Sequence, residues 1–140
     1  MYFDTSAFVK LLIREHGSDD ARHAWRTAER RLSSSLLYPE ARSALVRAAR
    51  GRRIRGAHLR EVRRRVELLW EDVSPVEVTL ELARRAGELA EEHVLRPYDA
   101  VHLASLDAVA DDETVLVAAD GELLTAARAR GISTAPLPVS

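Results

Sequence analysis

Cysteine is missing from all 140 residues of this chain. Disulfides, thiolate-bound zinc and cysteine nucleophiles are excluded with it. No apolar run approaches the ~20 residues that a membrane-spanning helix needs, so no membrane association is expected. The chain starts without the basic region and apolar stretch of a signal peptide, and Asp4 interrupts it at once. A cytoplasmic location is the expectation. Lysine is almost absent, since Lys10 stands alone. Neither a GxGxxG loop nor a P-loop occurs, which removes the usual signs of dinucleotide and nucleotide binding. Five histidines show no HExxH spacing and no close pairing, so a zinc site is not expected. Internal repeats, linkers and low-complexity stretches are also missing. At this length the expectation is one domain over residues 1–140 with a real core.

What the chain does have is acid in a telling position. Met1-Tyr2-Phe3-Asp4 is a short apolar run that ends in a carboxylate, followed by the hydroxyl pair Thr5-Ser6. An apolar strand delivering an acid at its carboxyl end is how open α/β sheets present metal-binding or catalytic groups. Asp120 follows the apolar run Thr114–Ala119 at a strand-to-helix junction. Glu40 and Asp99 each fall in a helical first turn near a proline. Taken singly, Asp99 and Asp120 read as helix caps and Glu40 as an exposed first-turn acid. Asp4 has a weaker capping alternative, because it ends a buried strand. Helix N-termini stabilise nearby negative charge by only ~0.3–1 kcal/mol each. Two like charges ~4 Å apart repel by ~4 kcal/mol at an effective dielectric of ~20. Four converging acids therefore call for a hard divalent cation, and carboxylate oxygens are what Mg²⁺ and Mn²⁺ prefer.

The pattern alternates between strands and helices. Strands are expected at Met1–Asp4, Leu32–Ser35, Asp72–Val78, Thr114–Ala119 and Ile132–Leu137. Pro75 places the third at a sheet edge. Helices are expected over Ser6–Ile13, from a Ser18-Asp19-Asp20 cap to about Arg31, from Pro39 to before Gly51, about Ala57–Trp70, Leu80–His93, from Pro97, and from Asp120 to about Arg130. The third and fourth, joined by a glycine-bounded turn, make an αα-hairpin. Pro136–Ser140 reads as a tail. The order predicts a parallel α/β sheet covered on both faces.

Four stretches carry a resemblance. They are Tyr2-Phe3-Asp4-Thr5-Ser6-Ala7, Pro39-Glu40-Ala41-Arg42-Ser43-Ala44-Leu45, Asp99-Ala100-Val101-His102-Leu103-Ala104 and Leu116-Val117-Ala118-Ala119-Asp120-Gly121-Glu122-Leu123. Together they resemble a PIN-domain ribonuclease of the VapC type, the toxin of a type II toxin–antitoxin pair. The resemblance implies a PIN-like three-layer α/β/α sandwich with a central, mainly parallel sheet and an αα-hairpin. It implies Mg²⁺- or Mn²⁺-dependent endoribonuclease activity, with Asp4, Glu40, Asp99 and Asp120 as the catalytic and metal-binding acids. Ser6 is the hydroxyl that fixes Asp4 or a metal-bound water. A cognate antitoxin and a homodimer are the implied partners, with RNA as substrate. One departure stands out: the serine or threonine usual two residues before the last acid is Ala118 here. A degenerate PIN domain that binds without turnover is the rival reading.

The net charge of −1 hides a strong asymmetry. Arg42–Arg65 holds ten arginines and the single acid Glu61, while the rest has eleven basic and twenty-one acidic residues. Such a segment suits RNA phosphates, an acidic antitoxin or a second subunit, or is simply a solvated helical face. Arg42, nearest in sequence to Glu40, is the arginine expected to approach RNA. His102, one turn after Asp99, reads as a proton donor or as a buried structural histidine. Trp25 and Trp70 read as packing anchors. A receiver domain would need an acidic pair after the first strand and a lysine after the last, and both are missing. A haloacid-dehalogenase phosphatase would need a second acid where Ser6 stands.

Overall fold

Successive side chains on a strand point to opposite faces, and the first strand already shows the layering. In β1 (Tyr2–Phe3), Tyr2 enters one apolar core and Phe3 the other. The computed structural model describes residues 1–139. From β1 the chain continues through α1 (Thr5–Leu12), α2 (Ser18–Thr27), β2 (Arg31–Ser34), α3 (Leu37–Arg50), α4 (Gly56–Glu71) and β3 (Val73–Val76). It then runs through α5 (Leu80–His93), α6 (Pro97–Val109), β4 (Val115–Ala118), α7 (Gly121–Ala129) and β5 (Ser133–Pro136).

The five strands form one sheet in the order β3-β2-β1-β4-β5, and every pairing is parallel. Parallel strands need crossover connections, and here each crossover contains helices that cover a face. The first four helices cover the Phe3 face, where Phe8, Trp25, Leu37, Leu45 and Val62 are buried. Trp25 meets Phe3 and Phe8 edge-on, at centroid distances of 4.9 and 5.8 Å. The last three helices cover the Tyr2 face with Leu89, Leu103, Leu106 and Leu123. β4 repeats the alternation, with Leu116 and Ala118 on the Tyr2 side and Val117 on the Phe3 side. Burying each such large side chain contributes about 1.5–3 kcal/mol. The result is the expected three-layer α/β/α sandwich, and α3 and α4 form the expected hairpin.

Three local expectations are corrected. The Ser18 hydroxyl does not cap α2. Gly17 does, at φ 89°, and Ser18 Oγ accepts from the Glu15 amide at 2.9 Å instead. A side chain at Gly17 would also lie 2.6 Å from the Pro138 carbonyl. That close approach shows why the residues after Pro136 are no loose tail. Leu137 is buried and its amide donates to the Ala118 carbonyl at 2.8 Å. Ser140, the last residue of that expected tail, lies outside the described residues. Finally, α2 stops at Thr27, because Arg31 already belongs to β2 and its Nε donates to the Trp25 carbonyl at 2.8 Å. Pro75 sits in β3, at the sheet edge, as expected.

Candidate active site

The sheet has one topological switch point. From β1 the chain winds outward through β2 and β3, then returns to place β4 on the other side of β1. The helix after β1 therefore lies on one face and the helix after β4 on the other. Their divergence opens a crevice at the carboxyl ends of the two strands, the usual ligand position in open α/β sheets. Asp4 follows β1 directly and Asp120 follows β4 by two residues. Both acids flank that crevice.

Asp4 is buried and is the N-cap of α1, accepting from the Ala7 amide at 2.9 Å. Asp4 thus caps a helix as well as ending a buried strand. Ser6 Oγ lies 2.7 and 2.8 Å from the two Asp4 carboxylate oxygens and accepts from the Ala119 amide at 2.9 Å. Ser6 thereby ties the end of β1 to the end of β4. Ala118 itself is buried in the core.

Glu40 occupies the first turn of α3 and is partly buried. Its Oε1 accepts from Thr5 Oγ1 at 2.8 Å and lies 2.9 Å from His102 Nε2. His102 is buried, and its Nδ1 lies 2.8 Å from Tyr2 Oη. An ionised carboxylate only accepts, so Nε2 carries the proton toward Glu40. In the neutral imidazole Nδ1 then accepts from Tyr2. This chain from Tyr2 through His102 to Glu40 crosses from the sheet to α3. It makes His102 a holder of Glu40 rather than an exposed proton donor. Thr5 was legible only as half of the hydroxyl pair beside Asp4. Its partner Glu40 lies thirty-five residues away.

Asp99 lies in the first turn of α6, two positions after Pro97. Asp120 caps α7 by accepting from the Leu123 amide at 3.0 Å. Between them stands Arg96, with Nε 3.2 Å from Asp99 Oδ2 and Nη2 3.0 Å from Asp120 Oδ2. Arg96 is not among the residues that the sequence motifs single out. Its signal was a lone cation three residues before Asp99, which is a helical neighbour spacing.

Burial pushes the Asp4 carboxyl up to about 6, against the opposing pull of His102, Ser6 and the Ala7 amide, and Asp120 adds to the rise. Asp99 is also raised, by burial first and by Asp120 second. These shifts describe acids that resist ionising, chiefly because they are buried and secondarily because Asp120 is near. Among the described residues, no three acidic or imidazole groups stand close enough together to hold one metal ion as arranged. The donor chemistry nevertheless fits a hard cation. Every donor is a carboxylate oxygen, and a guanidinium already supplies positive charge between two of them.

Arg42 does not face this crevice. It lies two residues after Glu40, about 200° around the helix. There it donates to Tyr38 Oη at 2.8 Å and pairs with Glu67 at 3.4 Å. Arg47 lines both hollows beside Thr5, Ser6, Glu40 and Asp120, and Arg53 lines one of them.

The PIN-domain family matches residues 1–129 of this sequence. The chain belongs to the PIN-domain family. This PIN domain is 46% identical to Ribonuclease VapC45 and to Ribonuclease VapC49, both from Mycobacterium tuberculosis, over 97% of the chain and 94% of each relative. It is 35% identical to Ribonuclease VapC46 of the same species over 95% of the chain and 94% of that relative. The crystal structure of PAE2754 from Pyrobaculum aerophilum shares its fold, with a TM-score of 0.68 and 22% identity over 95% of this chain and 88% of that one. Among the described residues, no helix is long and apolar enough to cross a membrane.

Proposed function

We propose that this single PIN domain is an endoribonuclease toxin of the VapC type, cleaving RNA phosphodiester bonds with Mg²⁺ or Mn²⁺ bound at Asp4, Glu40, Asp99 and Asp120. The observation that supports the reading is that Asp4 and Asp120 follow the two central strands at the switch point, with Arg96 bridging Asp120 to Asp99 and with Asp4 and Asp99 raised by burial first and by Asp120 after it. The naming of relatives alike over nearly the whole chain as ribonucleases supports the substrate class. When bound, the cation would neutralise charge on the scissile phosphate and lower the pKa of a water that attacks it.

The chain's own residues do the rest. Asp4, Asp99 and Asp120 supply the oxygen donors. Ser6 holds Asp4 in one rotamer through its two contacts. Thr5 and His102 fix Glu40 Oε1, which leaves Oε2 to orient a water or to ligate. Arg96 balances Asp99 and Asp120 and would turn toward the phosphate once the acids have another cation. Neutralisation by a cognate antitoxin, homodimerisation and a cytoplasmic location complete the reading. An antitoxin arginine would find the same carboxylates that Arg96 finds, in the bidentate manner that suits guanidinium.

The test is cleavage of a mixed RNA pool by purified, antitoxin-free protein, with and without Mg²⁺ or Mn²⁺, beside Asp4→Asn. Metal-dependent cleavage that falls by at least about a hundredfold in Asp4→Asn is the expected result. Folded protein that cleaves nothing with either metal would turn the reading toward a degenerate PIN domain that only binds.

A further inference from the structure

We infer that the RNA backbone enters the acidic crevice along the α3 face that carries Glu40 and Arg47, continued by Arg53 in the α3–α4 turn. The inference rests on the ribonuclease reading and adds a direction and a footprint to it. Glu40, Ser43, Ala44 and Arg47 share one face of α3, because residues three, four and seven apart align on a helix. Arg47 and Thr5 both line two hollows beside the site. One hollow also contains Glu40 and Tyr98, and the other contains Ser6, Asp120 and Arg53. Arg47 thus stands between Glu40 and the α3–α4 turn, about 10 Å along the helix from Glu40 at ~1.5 Å per residue.

The charges along this face have few internal uses. Arg47 is exposed and, among the described residues, its only side-chain hydrogen bond is to Ser43 Oγ at 3.1 Å. Arg53 is exposed, and its ion pair with Glu15 is loose, at 3.7 Å. Of the ten arginines between Arg42 and Arg65, only Arg42, Arg53 and Arg65 have an ion-pair partner among the described residues. Positive charge that the fold does not neutralise, beginning at the mouth of an acidic site, fits a polyanion whose reacting phosphate is drawn onto the acids. Flanking phosphates then rest on arginine, whose forked donors match phosphate oxygens.

The experiment measures binding of a fluorescein-labelled, mixed-sequence single-stranded RNA 12-mer by anisotropy, in EDTA to stop cleavage, over a range of salt concentrations. The full chain is compared with the Arg47→Gln/Arg53→Gln pair and with Arg84→Gln on the exposed surface of α5. The double variant should bind about tenfold more weakly, and the slope of log affinity against log salt should shrink by about 1.4, near 0.7 per lost phosphate contact on a single strand. Arg47→Lys/Arg53→Lys should keep most of the slope, and Arg84→Gln all of it. In Mg²⁺ the glutamine pair should raise KM with little change in kcat. Equal slopes for the double variant and Arg84→Gln would overturn the inference. So would RNA binding unchanged while binding of a poly-glutamate peptide is lost, which would assign the face to an acidic protein partner. Cleavage is read separately. RNA cleavage without a slope change removes the track alone, and the expected slope change without any cleavage removes only the ribonuclease reading.

Discussion

Asp4 is buried, bonded by Ser6 and the Ala7 amide, and pushed up to about 6. Arg60, Arg63 and Arg64 stand exposed on α4 with no ion-pair partner among the described residues. Both regions concentrate one sign of charge, and the fold treats them in opposite ways. The carboxylates are fixed by backbone amides, hydroxyls and His102, and Asp4 and Asp99 resist ionising first because they are buried and then because Asp120 is near. The hairpin arginines are spread along two solvated helices, where repulsion is screened within about 8–10 Å at ordinary salt. The acids therefore bear on stability as well as chemistry, and the arginines bear on partners.

The largest effect separating the two regions should appear as a pH dependence. In metal-free protein Asp4 keeps its proton to about pH 6, whereas an unfolded aspartate releases it near 4. Between those values the folded state binds more protons than the unfolded one, so stability falls as pH rises. It is fully present below about pH 4, and the loss approaches about 3 kcal/mol above pH 6 for a shift of roughly two units. Urea titrations in EDTA at pH 5 and pH 7.5 should show this fall. Asp4→Asn should flatten it, and Mn²⁺ at pH 7.5 should restore the lost stability. A profile equally steep in Asp4→Asn would break the contrast, because the buried Asp4 carboxyl would then not be what sets the pH dependence.

How much of this was legible in the sequence follows from where the partners lie. Strand ends and first-turn positions are local signals, so the places of Asp4, Glu40, Asp99 and Asp120 at helix starts are legible. Parallel order and the edge position of β3 followed from the alternation of elements and from Pro75. Thr5 was overlooked as a partner of Glu40 because the contact spans thirty-five residues and depends on how α1 and α3 pack. Proximity in sequence to Glu40 singles out Arg42, but adjacency in sequence is not adjacency on a helix face. Two residues turn the side chain away from Glu40, while seven bring Arg47 back to the same face. The cap by Gly17 needed knowledge of Pro138, at the far end of the chain.

A middling effect belongs to His102, the buried link between the two layers at the acidic edge. His102→Leu keeps an apolar body but removes the bonds to Tyr2 Oη and to Glu40. Breaking a buried hydrogen bond while leaving one partner in place costs about 1–3 kcal/mol. Thermal unfolding should register that loss. Tyr2→Phe/His102→Leu should recover part of it, since both polar partners are then gone. RNA cleavage should stay low in the double variant, because Glu40 still lacks its holder. Recovery of stability without recovery of cleavage would assign His102 to positioning Glu40. Recovery of both would reduce it to a core residue.

Arg96 sharpens the contrast most finely, since it is an exposed arginine that belongs to the acidic edge. Its guanidinium bridges Asp99 and Asp120, and their negative charge raises its pKa. Arg60, Arg63 and Arg64 of the hairpin have no such tie among the described residues. If Arg96 balances the acids while no other cation does, it competes with Mn²⁺ for the same oxygens. Arg96→Gln should then bind Mn²⁺ a few-fold more tightly, measured by calorimetry, while Arg60→Gln should leave that affinity unchanged. Stability in EDTA should hardly move in either variant, because exposed ion pairs contribute little. Tighter metal binding with slower RNA cleavage in Arg96→Gln would mean that the released guanidinium has work to do at the phosphate. Weaker metal binding would instead make Arg96 a brace that keeps Asp99 and Asp120 within reach of one ion. Either result distinguishes it from the hairpin arginines, whose removal should be felt by RNA and not by the metal.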